Sequence, residues 1–283
     1  MSRQPISDGA EHGTTDVAAR RGPRPGGGKT RRIAFWSLVV LTTALVLVSM
    51  VHALPLIAGN WLPRDAWLAL RSDRVPGDQA HRLHSLALAL LAWGMLAGVA
   101  LQFHRPRRKV AALLVALAVP IAIAAAEALI GTYSVAGTAP FILPILLACI
   151  LHPAARELVR RPHLDRTLVI LTLVAGVAWI AYALSVAERA RATVTPFEVD
   201  HLEFMVSLGL LAVLWGLIAA TDKPGWRFAA VAVLFLTACV ALQSLIFPAA
   251  LSGLSPFWAW AALTWCVAFG AAAWTRGRVA AAP

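Results

Sequence analysis

The stretch His104-Arg-Pro-Arg-Arg-Lys109 runs directly into Val110-Ala-Ala-Leu-Leu-Val-Ala-Leu-Ala-Val-Pro-Ile-Ala-Ile-Ala-Ala-Ala-Glu-Ala-Leu-Ile130. The second part is 21 residues long and holds one charge, Glu127. As a helix it would extend about 31 Å at ~1.5 Å per residue, enough to cross a hydrocarbon core of ~30 Å. Basic residues in front of such a helix place that end in the cytoplasm. One connector and one block thus predict a membrane-crossing rod and its direction.

The same alternation repeats along the chain. Apolar blocks lie near 33–58, 82–103, 110–130, 138–152, 167–187, 202–221, 228–247 and 257–274. They predict an all-α polytopic bundle of about eight transmembrane helices in the lipid bilayer. Block 138–152 is short and contains Pro140 and Pro144. Composition agrees: 59% of residues are apolar and 14% charged, against about 25% charged in soluble domains. Mean hydropathy is +0.72.

The net charge of +11 does not imply nucleic acid, because Lys and Arg fall in tails and connectors and form no basic face interleaved with aromatics. With the N-terminus inside, 19 of the 25 Lys and Arg fall in inner segments and 6 in outer ones. That bias supports eight spans in the cytoplasmic membrane, with both termini cytoplasmic. Cys149, Cys239 and Cys266 all lie inside apolar blocks and read as small hydrophobes.

Residues 1–32 read as a disordered basic cytoplasmic tail whose Lys29, Arg31 and Arg32 attract anionic lipid headgroups. A phosphate-binding loop is rejected for Gly22-Pro-Arg-Pro-Gly-Gly-Gly-Lys-Thr30, since Pro23 occupies the first glycine position and no strand or soluble helix flanks it. Beyond the tail come a first four-helix half (33–153), a basic linker (154–166), a second half (167–275) and a short tail (276–283). At an offset of 118, His104 to Ala112 overlays Asp222 to Ala230. That pattern makes the halves candidates for a parallel repeat. Segment 60–80, with Trp61 and Trp67, reads as an outer loop holding a short surface helix.

Polar residues inside a bilayer are costly, so their positions matter. Here they gather toward the outer side: His52, His81, His84, Glu127, His201 and Glu203, with Tyr182 and Gln243 nearby. Three readings stay open. Such residues can simply mark helix ends among headgroups. Imidazole and carboxylate also suit a transition metal or haem, with those six as ligands. A transporter or channel for a small or lipid-like solute is the third, against which the midplane offers little beyond Thr43, Trp93, Trp215, Thr237 and Thr264. An assembly or scaffold protein is what the first reading implies for function.

In helix count alone the layout resembles haem A synthases. That family implies histidines on several helices of each half, and here the third, fifth, seventh and eighth blocks contain none. No GxSxG elbow or GxGxxG turn is present, so the sequence leans away from an enzyme without deciding the question. An acid–base pair of Glu127 and His84 is the exception left open.

Overall fold

The computed structural model describes residues 27–59, 82–132, 135–193, 196–248 and 252–279. The expected disorder of residues 1–26, the surface helix in segment 60–80 and His81 lie outside the described residues. Regular structure within them is helical, apart from one β-bridge between Leu164 and Thr221. The long helices are α1 (Gly27–Gly59), α2 (Arg82–Ala100), α3 (Val110–Ile130), α4 (Val135–Leu151), α5 (Arg166–Ala192), α6 (Pro196–Ala220), α7 (Trp226–Ile246) and α8 (Pro256–Val279).

Seven of these, all but α4, are long and apolar enough to cross a membrane. The difference from the expected eight lies in α4. At 17 residues it extends only about 26 Å at ~1.5 Å per residue, short of a ~30 Å hydrocarbon core. Helix α1 begins at Gly27, so Lys29, Arg31 and Arg32 form its opening turns rather than a tail.

Helices α3 and α6 form the centre. α6 packs along α2, α3, α5 and α7, while α1 and α4 pair on one flank and α8 lies against α5 and α7 on the other. The outer helices turn bare aliphatic side chains outward: Val177 on α5 is 75% exposed and Val267 on α8 is 74% exposed. Water would penalise such a surface, whereas acyl chains match it. With the length and hydropathy of the helices, this defines a multi-pass membrane protein.

Lipid offers helices no hydrophobic reason to associate, so close approach over small residues must do so. A Cβ on Gly94 would lie 2.4 Å from the Trp215 ring, and one on Gly98 would lie 2.4 Å from the Ala112 carbonyl. On Gly209 it would come within 3.0 Å of the Trp179 carbonyl, and on Gly216 within 2.7 Å of Thr172. A Cβ on Gly176, by contrast, would have ordinary room at 3.6 Å from Val213. Trp215 is 1% exposed, and its indole donates to the Val115 carbonyl at 3.1 Å. Pro120, one turn on, lacks the N–H that would hold the Ala116 carbonyl beside that contact.

The hydroxyls of Thr43 and Thr264 donate to the carbonyls of Val39 and Trp260 one turn back. The buried Thr237 hydroxyl has no such partner among the described residues.

The basic connectors meet at one end of the bundle. Ala111 N–H donates to the Pro224 carbonyl at 2.9 Å, joining the two loops at the 118-residue offset. Asp165 N–H donates to Ala220 and Asp222 N–H to His163. Lys223 donates to the carbonyls of Glu157, Leu158 and Arg160, closing the short helix Ala155–Val159. Its burial lowers the ammonium pKa, with Arg160 adding to the effect.

A second buried node lies beneath α1. The Gln102 amide donates to the carbonyls of Gly98 and Lys109 at 3.1 and 3.0 Å. His152 Nδ1 accepts from the Ala154 N–H at 3.0 Å. That bond leaves Nε2 to carry the proton and donate to Gln102 Oε1 at 3.2 Å. Burial pulls the His152 pKa from 6.5 down to about 4, so the imidazole is neutral at pH 7.

Two predictions follow from this packing. Gly94→Ala and Gly98→Ala should each destabilise the detergent-solubilised protein by about 1–3 kcal/mol in thermal melts. Gly270→Ala, whose Cβ would meet only Leu234 at 3.7 Å, should be neutral or stabilising by up to about 1 kcal/mol. For His152, stability present above pH 6.5 should be lost as pH falls through about 4. Below 6.5 the unfolded chain takes up a proton that the folded chain refuses, at a cost of up to roughly 1.4 kcal/mol per pH unit. His152→Gln should flatten that acid limb; an unchanged limb would refute the locked neutral ring.

Candidate functional site

Of the polar residues singled out in the sequence, Glu127, His201 and Glu203 have described side chains, near the end of α3 and the start of α6 and away from the basic loops. Glu127 is buried near the end of α3, where its carbonyl accepts from the N–H groups of Gly131 and Thr132. Gly131 has φ +94°, which a glycine adopts without strain. His201 and Glu203 lie in the early turns of α6, both half-buried and each engaged within the protein. Two residues apart on a helix, they project about 200° from one another at ~3.6 residues per turn. His52 and His84 belong to α1 and α2, and their side chains lie outside the described ones. Among the described residues no three His, Cys, Asp or Glu side chains come close enough to hold a metal ion.

The structure places a different feature between α5 and α8, a crevice of about 800 Å3. Its origin is local. Ala175, Ala178 and Ala181 recur every three residues on α5, and Ala261 and Ala262 answer them on α8, so small side chains hollow the seam. Aromatics form the walls: Trp179 meets Tyr182 edge-on at 5.7 Å, and Trp258 and Trp265 come from α8.

Two hydrogen bonds bracket the hollow. Toward the start of α5, the Trp265 indole donates to the Leu171 carbonyl at 2.8 Å. Toward the far end, the Tyr182 hydroxyl donates to the Ser252 carbonyl at 2.7 Å. Arg189, Ser185 and Ser255 line the same end. Along α5 the crevice reaches from Val174 to Arg189, about 22 Å at ~1.5 Å per residue. That matches one leaflet with its headgroup region, roughly half of a 40–45 Å bilayer. The exposed Val174, Val177 and Trp258 at its edge open it sideways.

Sequence reading missed this crevice because an Ala-rich helix is ordinary in a membrane. The available signal was alanine at every third position beside paired tryptophans on two helices that are not consecutive. Comparison of the chain with models of known protein families, with curated proteins and with solved structures finds no match. The fold and the crevice therefore define a class, the multi-pass α-helical membrane proteins, and nothing narrower.

Tyr182→Phe removes one bracket while keeping the ring. It should cost about 1 kcal/mol, as the loss of a single hydrogen bond does. Residues 252–255 should then exchange their amide hydrogens faster, and unchanged exchange there would show that the hydroxyl does not hold the α8 entry.

Proposed function

We propose that the protein is a cytoplasmic-membrane protein, both termini inside, that binds a single-chain, lipid-like amphiphile with an anionic head in the α5–α8 crevice. The observation that carries this reading is one cavity with apolar aromatic walls, a leaflet's length, and Arg189 at its headgroup end. A volume of about 800 Å3 falls within the ~300–1,000 Å3 usual for small-molecule sites. An alkyl chain would lie against Trp179, Trp258 and Trp265, and the guanidinium would meet the carboxylate or phosphate. This develops the lipid-like solute reading of the sequence. The orientation rests on the basic loops gathering at one end, and α4 would be the eighth crossing.

Quenching of tryptophan fluorescence by 9,10-dibromostearate tests the site in nanodiscs of zwitterionic lipid. Arg189→Gln should weaken the apparent affinity about fivefold, the effect of roughly one basic residue at a membrane surface. Ala178→Trp, which fills the seam, should abolish saturable quenching. If quenching follows total brominated lipid regardless of headgroup and survives Ala178→Trp, the crevice is merely wetted by bulk lipid and the reading falls.

A further inference from the structure

We infer that the basic end carries a second, separate site, built for a phosphate group, and that its occupant is the headgroup of an anionic phospholipid. A cleft of about 620 Å3 lies there between the start of α1, the loop ahead of α3 and the end of α4. Arg31, Arg32, Arg105, Arg107 and Arg108 all line it, beside Trp36. Sequence alone places Arg31 and Arg32 beside headgroups; the fold adds three arginines from another segment and a cavity between them.

The five guanidinium groups do different work. Arg31 is already engaged, donating to the carbonyls of Ile150, Leu151 and His152 at 3.0, 3.3 and 3.3 Å. It thereby caps the negative end of α4 and fixes one wall. Arg32, Arg105, Arg107 and Arg108 form no ion pair among the described residues. The same end of the bundle does pair arginines elsewhere. Arg160 lies 2.8 Å from Asp222 and 3.3 Å from Glu157, and Arg276 lies 3.7 Å from Asp165. Among the described residues no carboxylate lines the cleft.

Four cations with no carboxylate partner among the described residues surround one hollow, and they repel each other until an anion joins them. The backbone is also bent to this arrangement: Arg105 has φ +51°, a left-handed conformation that a non-glycine residue adopts at a cost. Guanidinium forks match phosphate oxygens two at a time, a geometry that lysines would not supply.

Two observations favour a lipid over a soluble phosphate. Trp36 stacks on Phe103 with centroids 5.8 Å apart and planes at 22°, and such an aromatic pair marks the interface between headgroups and acyl chains. Phe35 and Leu151 line the cleft's apolar side. Beyond them the outward faces of α1 and α4 continue it with exposed Val40, Leu147 and Ile150. A phosphate held by the arginines would therefore carry its acyl chains down a ready apolar track.

The test compares full-length protein in phosphatidylcholine nanodiscs with and without phosphatidylglycerol, reading bound lipid by native mass spectrometry. A parallel arm offers soluble glycerol 1-phosphate. Phosphatidylglycerol should be retained selectively. Arg105→Gln with Arg107→Gln should lower that retention about 30-fold, from roughly fivefold per basic residue. Arg161→Gln with Arg166→Gln, which removes the same charge from exposed positions outside the cleft, should change it less than about threefold. Equal losses in the two double variants would mean diffuse surface charge and overturn the site. Retention of glycerol 1-phosphate as strong as that of the lipid would overturn its assignment to a lipid headgroup. The α5–α8 crevice shares no residue with this cleft, so dibromostearate quenching should be unchanged in the Arg105/Arg107 variant, and either site can fail alone.

Discussion

Trp215 fills the space where α2, α3 and α6 meet. Its ring lies against the bare backbone at Gly94, and its indole N–H reaches the Val115 carbonyl on the helix that contains Pro120. Membrane helices cannot rely on water to drive them together, so contact over small residues and a few hydrogen bonds must hold the centre. The wedge meets both requirements at once. Two of the helices that carry it, α3 and α6, are among the most enclosed, and those farther out present alkyl side chains to the bilayer. The position of α5 follows from this centre, because Gly209 and Gly216 of α6 receive it, at the Trp179 carbonyl and at Thr172. The crevice beside α8 follows in turn.

Much of this was legible in the sequence because it depends on length and charge. Block boundaries from apolar runs fall within a few residues of most helix ends, as at 110–130 for α3. The packing role of Gly94, Gly98 and Gly209 could be anticipated from residue size alone. Other features needed three dimensions. Gly216 gives no hint in sequence that Thr172, 44 positions earlier, stands opposite it. The start of α1 at Gly27 was hidden because glycines and basic residues read as tail, whereas Arg31 bonded across to α4 gives that turn a reason to be helical.

The candidate site was the least legible part. Histidines and carboxylates draw the eye because they can bind metals, yet His201 and Glu203 point to different sides of one helix. The crevice is instead made by alanines that leave space and tryptophans that bound it, residues that sequence reading assigns to packing. Charge was misleading in a different way. Counted along the chain, the basic residues give only a topology signal. In space they divide into a group paired with Asp222, Glu157 and Asp165 and a group around Arg105 without an ion pair among the described residues.

The crevice between α5 and α8 opens to the side, past Val174 and Val177, rather than through a loop. A molecule entering by that route never leaves the plane of the membrane. Its effective concentration is then its mole fraction among neighbouring lipids, and its arrival is set by lateral diffusion in two dimensions. Occupancy would thus report membrane composition, and diluting the aqueous phase would leave it unchanged.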